Sequence, residues 1–252
     1  MKIIISPAKK MKADGDTLPW RDLPRFLPQA KVLYDKLRSM PFDALQKLWR
    51  CNDRIAALNV ERLKMSGLQH PLAPAILAYE GIQYQYMAPN VFTQEQFDYV
   101  QEHLYILSGL YGVLRPFDGV IPYRLEMQAK LEVSNCKDLY EYWGGVLSEE
   151  VCRNTDCVVN LASKEYSVCI SRYQKPGVRL ITCVFGEEEH GRVVEKGTLC
   201  KMARGEMVRF MAEHRIVRPE DLKEFSGLNY AFSRKHSDAA TYTFLLKRAK
   251  QI

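Results

Sequence analysis

Three short apolar runs end in the same way, and they constrain the fold more than any other feature of this chain. Ile3-Ile4-Ile5 leads into Ser6-Pro7-Ala8-Lys9-Lys10, Tyr105-Ile106-Leu107 into Ser108-Gly109-Leu110-Tyr111, and Val159-Asn160-Leu161-Ala162 into Ser163-Lys164-Glu165-Tyr166. Each run is rich in β-branched or aromatic residues and reads as a strand. Each closes on a serine and opens onto a charged or aromatic loop. In open α/β sheets, ligands bind outside the carboxyl ends of the strands. If the three strands are parallel neighbours, their loops converge on one cleft. Serine also ends strands simply because it turns well, so the pattern alone does not settle strand order.

Helical periodicity fills the spaces between these runs. It covers residues 30–38, 41–50, 53–65, 74–79, 93–103, 137–152, 198–215 and 219–225. Asn52 or Asp53 suits the cap of the third of these. Thr93 with Gln96 makes a capping-box pattern for the fifth. Residues 178–185 and 192–195 read as a hairpin turning near His190-Gly191, and residues 229–247 as two terminal strands with their turn at 233–239. No repeat, low-complexity tract or linker interrupts the chain. The expectation is one mixed α/β domain over residues 1–252, with helices around a central sheet.

Composition narrows the function classes. Of 252 residues, 47% are hydrophobic, which suffices for a sizeable core. No apolar run approaches the ~20 residues of a membrane-spanning helix. The opening MKIIISPAKK has too short an apolar part for a secretory signal, so a cytoplasmic location without membrane contact is expected. The seven cysteines contain no C-x-x-C pair and read as reduced, mostly buried thiols. His70, His103, His190, His214 and His236 show no i,i+4 pairing, so no metal site is expected. Lysine and arginine total 36 against 30 acidic residues, a net charge of +6 that permits a polyanion partner.

The position of the cations matters more than their sum. Lys9, Lys10, Arg115, Arg124 and Lys164 all follow the three strand ends closely enough to enter a shared cleft. Lys201, Arg204, Arg209 and Arg215 fall in one polar arc of the long helix, opposite Leu199, Ala203, Met207 and Phe210. Gly205 lies in the same arc. A glycine there costs roughly 1 kcal/mol of helix stability, which makes sense if something must approach the backbone closely. A solvated basic face is the plainer alternative.

The longest glycine- and proline-rich loop is GLYGVLRPFDGVIPYRLEM, residues 109–127. Gly109 and Gly112 allow positive φ, so that backbone amides can point outward together as an anion nest. Arg115 and Arg124 suit bidentate phosphate contacts, and Tyr111 and Tyr123 suit stacking on bases. An ordinary packed loop, with its arginines paired to Asp118 and Glu126, accounts for the same residues. No phosphate-binding P-loop, dinucleotide fingerprint or nucleophile elbow is present.

IISPAKK at residues 4–10, LSGLYGVLRPFDGVIPYRLEM at 107–127, KDLYEYWG at 137–144, VVNLASKEY at 158–166 and KMARGEMVRF at 201–210 together resemble the YaaA family of peroxide-stress response proteins. The segments span nearly the whole chain in the family's order. The resemblance implies a single domain with a mixed sheet wrapped in helices and a positively charged cleft. It also implies DNA binding through a helix-hairpin-helix-like element and a role in limiting iron-driven oxidative damage. The DNA-contacting role would fall on Gly109-Leu110-Tyr111-Gly112, with residues 93–103 and the segment after Arg115 nearby. Residues 51–65 with their neighbour are the other candidate for the helical hairpin. Lys164 stands where an acidic residue is expected.

The leading expectation is a protein that is not an enzyme and binds duplex or structured DNA with little sequence preference. Its candidate phosphate contacts are Ser6, Lys9, Lys10, Ser108, Gly109, Tyr111, Gly112, Arg115, Tyr123, Arg124, Ser163, Lys164, Lys201, Arg204 and Arg209. No cofactor, metal or catalytic residue is expected, and a monomer is the favoured state. The alternative is an enzyme acting on a nucleotide or nucleic acid, with Lys9, Lys164, Glu165 and Tyr166 as acid–base groups. Direct iron handling is disfavoured, because carboxylates and histidines do not cluster. Cys200, beside Lys201 at a helix start, is a minor candidate for a peroxide-sensing thiolate.

Overall fold

Residues Lys2–Ile5 form strand β1, and its Ile3, Ile4 and Ile5 are fully buried. Side chains of this kind fit a pleated surface covered on both faces, which places the run at the centre of a sheet. The computed structural model describes residues 1–12, 18–65, 67–68 and 72–247; His70 lies outside them. On one side β1 pairs in parallel with β2 (Leu104–Ser108), matching Ile4 to Tyr105. β2 folds back antiparallel onto β3 (Gly112–Leu114), which forms that edge of the sheet.

On its other side β1 pairs in parallel with β4 (Cys157–Leu161), matching Ile4 to Asn160. Beyond β4 runs β5 (Arg179–Glu189), also parallel. Its acidic end turns through His190 and Gly191, both at positive φ, into antiparallel β6 (Arg192–Val194). The terminal strands β7 (Tyr230–Phe232) and β8 (Thr241–Leu246) are antiparallel to each other, and β8 joins β5 in parallel. The eight-stranded sheet is therefore ordered β7-β8-β5-β4-β1-β2-β3, with β6 branching from β5. The three runs that opened the sequence argument are parallel neighbours, β2-β1-β4.

Nine α-helices longer than one turn surround the sheet among the described residues, and the segment expected as a helix over 219–225 is the 3-10 helix Pro219–Glu224. α1 (Leu27–Arg38), α2 (Phe42–Trp49) and α3 (Asp53–Met65) come first, and Asn52 caps α3 by accepting the Ile55 amide at 3.0 Å. α4 (Ile82–Met87) and α5 (Gln94–His103) follow, and Thr93 and Gln96 form the full capping box at the start of α5. Where one helix over 137–152 was expected there are two, α6 (Leu139–Trp143) and α7 (Val146–Val151). Gly144, at φ +48°, ends the first. The last two are α8 (Lys164–Ser171) and α9 (Gly197–Glu213).

Several elements differ from the sequence reading. The helix expected over 74–79 shrinks to a single turn, Ala75–Ala78. α4, α8 and β3 were not anticipated. The turn Gly109–Tyr111 joins two antiparallel strands, so no helix-hairpin-helix lies there. The helical hairpin near the candidate segments is α2–α3, joined through Arg50 in the left-handed region at φ 47°.

Candidate functional site

The chain leaves β1 for β2 on one side of the sheet and leaves β4 for β5 on the other. The gap beyond the carboxyl ends of β1 and β4 is therefore the topological switch point, where open α/β sheets hold ligands. Ser6 and Ser163 close the two strands there and meet across the gap. The Ser163 amide donates to Ser6 Oγ at 2.8 Å, and the Ser6 hydroxyl donates to Ser163 Oγ at 3.2 Å. Ser163 starts α8 without its side chain capping that helix. From the other wall, Tyr84 on α4 donates to the Ser6 carbonyl at 3.0 Å.

A cleft of about 480 Å³ opens above this pair. Its walls come from the segment after β1, from α4, from Tyr123–Glu126, from the start of α8 and from Lys201 and Arg204 on α9. Three carboxylates share the space. Glu126 lies 3.1 Å from Lys9 Nζ and 3.2 Å from Arg124. Its Oε1 makes no aligned hydrogen bond, so charge alone holds it between the two cations. Glu80 pairs with Lys10 at 2.9 Å. Glu165 accepts the Gln128 amide at 3.3 Å. Burial and the neighbouring Glu126 charge push the Glu165 carboxyl above the usual carboxylate range, against the pull of the Gln128 amide and Lys9. Arg204 lies 3.4 Å from Glu195. Lys201 has no carboxylate partner among the described residues.

A second depression of about 360 Å³ adjoins the first and shares Lys9 and Glu126 with it. Its far wall is α2, with Lys47, Trp49 and Arg50, and its near wall carries Lys130. Lys47 and Arg50 have no carboxylate partner among the described residues. Arg124 braces the junction by donating to the Trp49 carbonyl at 3.3 Å. Together the two depressions present eight cationic side chains against three carboxylates, an excess of five where the whole chain has six.

Ser6, Lys9, Lys10, Tyr123, Arg124, Ser163, Lys201 and Arg204 all line the first depression. The other seven expected contacts do not. Ser108 is fully buried, bonded to the Tyr123 hydroxyl at 2.6 Å and the Tyr111 amide at 2.9 Å. Tyr111 is also fully buried, and the carbonyl of Gly109 is taken by Trp143 Nε1 at 3.0 Å. Gly112 needs its φ of +71° to close the β2–β3 hairpin, and a Cβ there would meet Leu147 and Trp143. These glycines serve close packing; the anion nest expected at them has no surface to act through.

Tyr123 lines the cleft, but its hydroxyl is bound to Tyr79 at 2.7 Å and the residue is buried, so stacking on a base is ruled out. Because β3 runs antiparallel to β2, Arg115 is carried back toward the amino ends of the strands. It sits there near Lys2, with its guanidinium 5.0 Å from the Tyr105 ring. Lys164 is exposed at the start of α8 but does not line the cleft. Arg209 pairs with Glu213 at 2.7 Å, beyond the part of α9 that lines the cleft.

Gly205 is also reassigned. It is buried against α4, and a Cβ on it would run into the backbone of Gln83 and Met87. What approaches this glycine is a neighbouring helix, not a ligand. Cys200 is buried and donates to the Phe185 carbonyl, and burial with the nearby Glu195 raises its thiol to about 11, opposite to what a sensing thiolate needs. All seven cysteines are free thiols. Among the described residues no three metal-ligating side chains gather, and no helix is long and apolar enough to cross a membrane.

The sequence reading missed Gln83 and Tyr84, which enter the cleft on α4, Glu80, which precedes that helix, and Lys47, Arg50 and Lys130 in the second depression. Nothing in the local sequence of α4 marks it as facing a site, since its position is set by the contact with Gly205. Arg50 did carry a signal, as a basic residue between two helices with a capping asparagine two positions on.

A family model described as peroxide stress protein YaaA matches residues 1–236. A UPF0246 protein of Desulfitobacterium hafniense is 52% identical over 251 residues, covering 100% of both chains. Another, from Lachnoclostridium phytofermentans, is 51% identical over 245 residues, covering 97% of this chain and 96% of its own. A third, from Agathobacter rectalis, is 50% identical over 249 residues, covering 99% and 100%. Matches of this length and identity leave one conclusion: the chain belongs to the family of peroxide stress protein YaaA.

Proposed function

We propose that the protein binds DNA, duplex or structured, along the basic trough formed by the two adjoining depressions, and that it acts in this way in the response to peroxide stress. The observation that carries the reading is the charge of the trough: eight cationic side chains against three carboxylates, from six separate stretches of chain. Lys47, Arg50 and Lys201 have no carboxylate partner among the described residues and are available to phosphates. The α2–α3 hairpin borders one end of the trough and is the segment that fits a helix-hairpin-helix-like role. Contacts of this kind give affinity with little sequence preference. On this reading, protection against iron-driven damage works through cover of the DNA.

The test is duplex binding as a function of salt. Log affinity should fall linearly with log salt, with a slope of about −0.9 per phosphate contacted. Lys47→Ala, Arg50→Ala and Lys201→Ala should each weaken binding uniformly across sequences and flatten the slope by about one unit. A salt-independent association, or none, refutes the reading.

A second reading, an enzyme acting on a nucleotide or nucleic acid, has one observation in its favour. Glu165 faces the cleft with a proton affinity raised by burial, as a general acid requires. Turnover of a nucleotide substrate that is lost in Lys9→Ala and Glu165→Gln would establish it.

A further inference from the structure

Most of the trough is open surface, but the switch point beneath it has features that backbone contact with a duplex does not use. Tyr166 and Ser167 donate their amides back to the Ser163 carbonyl at 3.0 and 2.9 Å. The amides of Lys164 and Glu165 have no intrahelical acceptor, as at any helix start. Ser163 would ordinarily satisfy one of them, yet its hydroxyl is engaged with Ser6 instead. The start of α8, where Ser163, Glu165 and Tyr166 line the cleft, is therefore uncapped.

A second observation is independent of the helix. Gln83 on α4 is 7% exposed and lines the cleft. Its amide nitrogen donates to the Leu161 carbonyl at 3.4 Å, while its side-chain oxygen meets no partner among the described residues. A cleft-wall amide whose oxygen has no protein partner and is not sealed off from the cleft matches a ligand that carries an N–H edge. The volume of about 480 Å³ lies in the range of small-ligand pockets and far exceeds one phosphate group.

We infer that the switch-point cleft is a pocket for a single nucleotide 5′-monophosphate, with its phosphate on the first-turn amides of α8 and the Ser6–Ser163 pair, and its base edge read by Gln83. The choice of a nucleotide over other phosphate esters rests on the DNA-binding reading above. Cations from three sides, Lys9, Arg124 and Lys201, supply charge for the phosphate. Burial and the neighbouring Glu126 charge raise the proton affinity of Glu165, beside that phosphate, which lessens its repulsion of the anion. The nucleotide has two sources, a free molecule or one residue of a DNA strand turned out of its stack, and the chemistry of the pocket is the same for both.

Amide NMR of the full-length protein tests the inference. The probes are the four deoxynucleoside 5′-monophosphates, the matching nucleosides and inorganic phosphate. The monophosphates should shift the amides of Lys164 and Glu165 and bind about tenfold tighter than either the nucleosides or phosphate alone. Gln83→Ala should weaken the monophosphates about tenfold while the α8 shifts at saturation persist, and a melting curve checks that the variant is folded. No response at α8 to millimolar nucleotide, or equal binding of phosphate and nucleotide, overturns the pocket.

A second arm compares a fully paired duplex with one carrying a single unpaired nucleotide, at equal salt. Tighter binding of the latter assigns the pocket to a strand residue, and equal binding assigns it to the free nucleotide. If nucleotides engage α8 while neither duplex binds, the DNA reading fails and the pocket stands. If both duplexes bind while α8 is silent, the pocket fails and the DNA reading stands.

Discussion

Gly205→Ala sets two opposing effects against each other at a site whose geometry is known. In the middle of an isolated helix the change is favourable by about 1 kcal/mol, because alanine loses less backbone freedom than glycine. Here α9 crosses α4 at this residue. A Cβ would stand 2.9 Å from the Met87 nitrogen and 3.0 Å from the Gln83 carbonyl carbon, and closer still to the Gln83 carbonyl oxygen. These are backbone atoms of one helix, so no side-chain rotation relieves the clash and α4 must shift as a body. Overpacking of this kind costs about 1–3 kcal/mol, and a rigid backbone neighbour puts it at the upper end. The net loss is about 1–2 kcal/mol. For a chain of this length that lowers the melting temperature by roughly 2–8 °C. Gly197→Ala, at the start of the same helix, has open space around its Cβ and should raise the melting temperature or leave it unchanged. Scanning calorimetry of both variants beside the parent decides the matter. Should Gly205→Ala melt at or above the parent temperature, the close crossing is not what demands glycine, and the argument for how α4 reaches the cleft fails with it.

Further predictions rest on single residues. Asp118 is buried with its carboxyl raised to about 7, chiefly by burial, from an ordinary value of 3.8. Its folded form holds a proton that the unfolded chain has lost, so its contribution to stability is present below about pH 4 and is lost as pH rises toward 7, at about 1.4 kcal/mol per unit. Asp118→Asn should abolish that part of the slope in denaturation midpoints measured from pH 4 to 8; an unchanged slope refutes the assignment. Tyr123→Phe leaves the buried Tyr79 hydroxyl without its 2.7 Å partner and should cost about 1–3 kcal/mol in urea denaturation. Glu126→Gln frees Lys9 and Arg124 from their shared carboxylate, so duplex affinity should rise and its salt slope steepen by about one unit. Under mild peroxide or alkylating agent, mass spectrometry should find the half-buried Cys51 and Cys136 modified before Cys200, and early oxidation of Cys200 would contradict its raised thiol.

Much of the architecture was legible because strong local signals agreed with the tertiary result. Ile3-Ile4-Ile5 announced a central strand, Thr93 with Gln96 a helix start, and His190-Gly191 a hairpin turn. The elements that escaped notice lack such signals. IQYQYM of α4 has no apolar stripe, and its helix is stabilised by the crossing with Gly205. KEYSVCIS of α8 begins with charged residues that read as a loop. In the candidate site, the two serines and the cations of α9 could be read from where strands and helix begin and end. The glycine turn misled because glycine that packs a hairpin under Trp143 and glycine that receives an anion look the same in sequence. Only burial separates them.

The trough draws on residues near positions 6–10, 47–50, 80–84, 123–130, 163–166 and 201–204. No fragment of the chain holds more than a part of it, and its walls meet only through contacts between residues far apart in sequence. Such long-range contacts form late and slowly during folding. The trough is thus absent from nascent or unfolded copies, and on the DNA-binding reading proposed above a molecule that binds through it has, by that act, reported that its whole tertiary structure is in place.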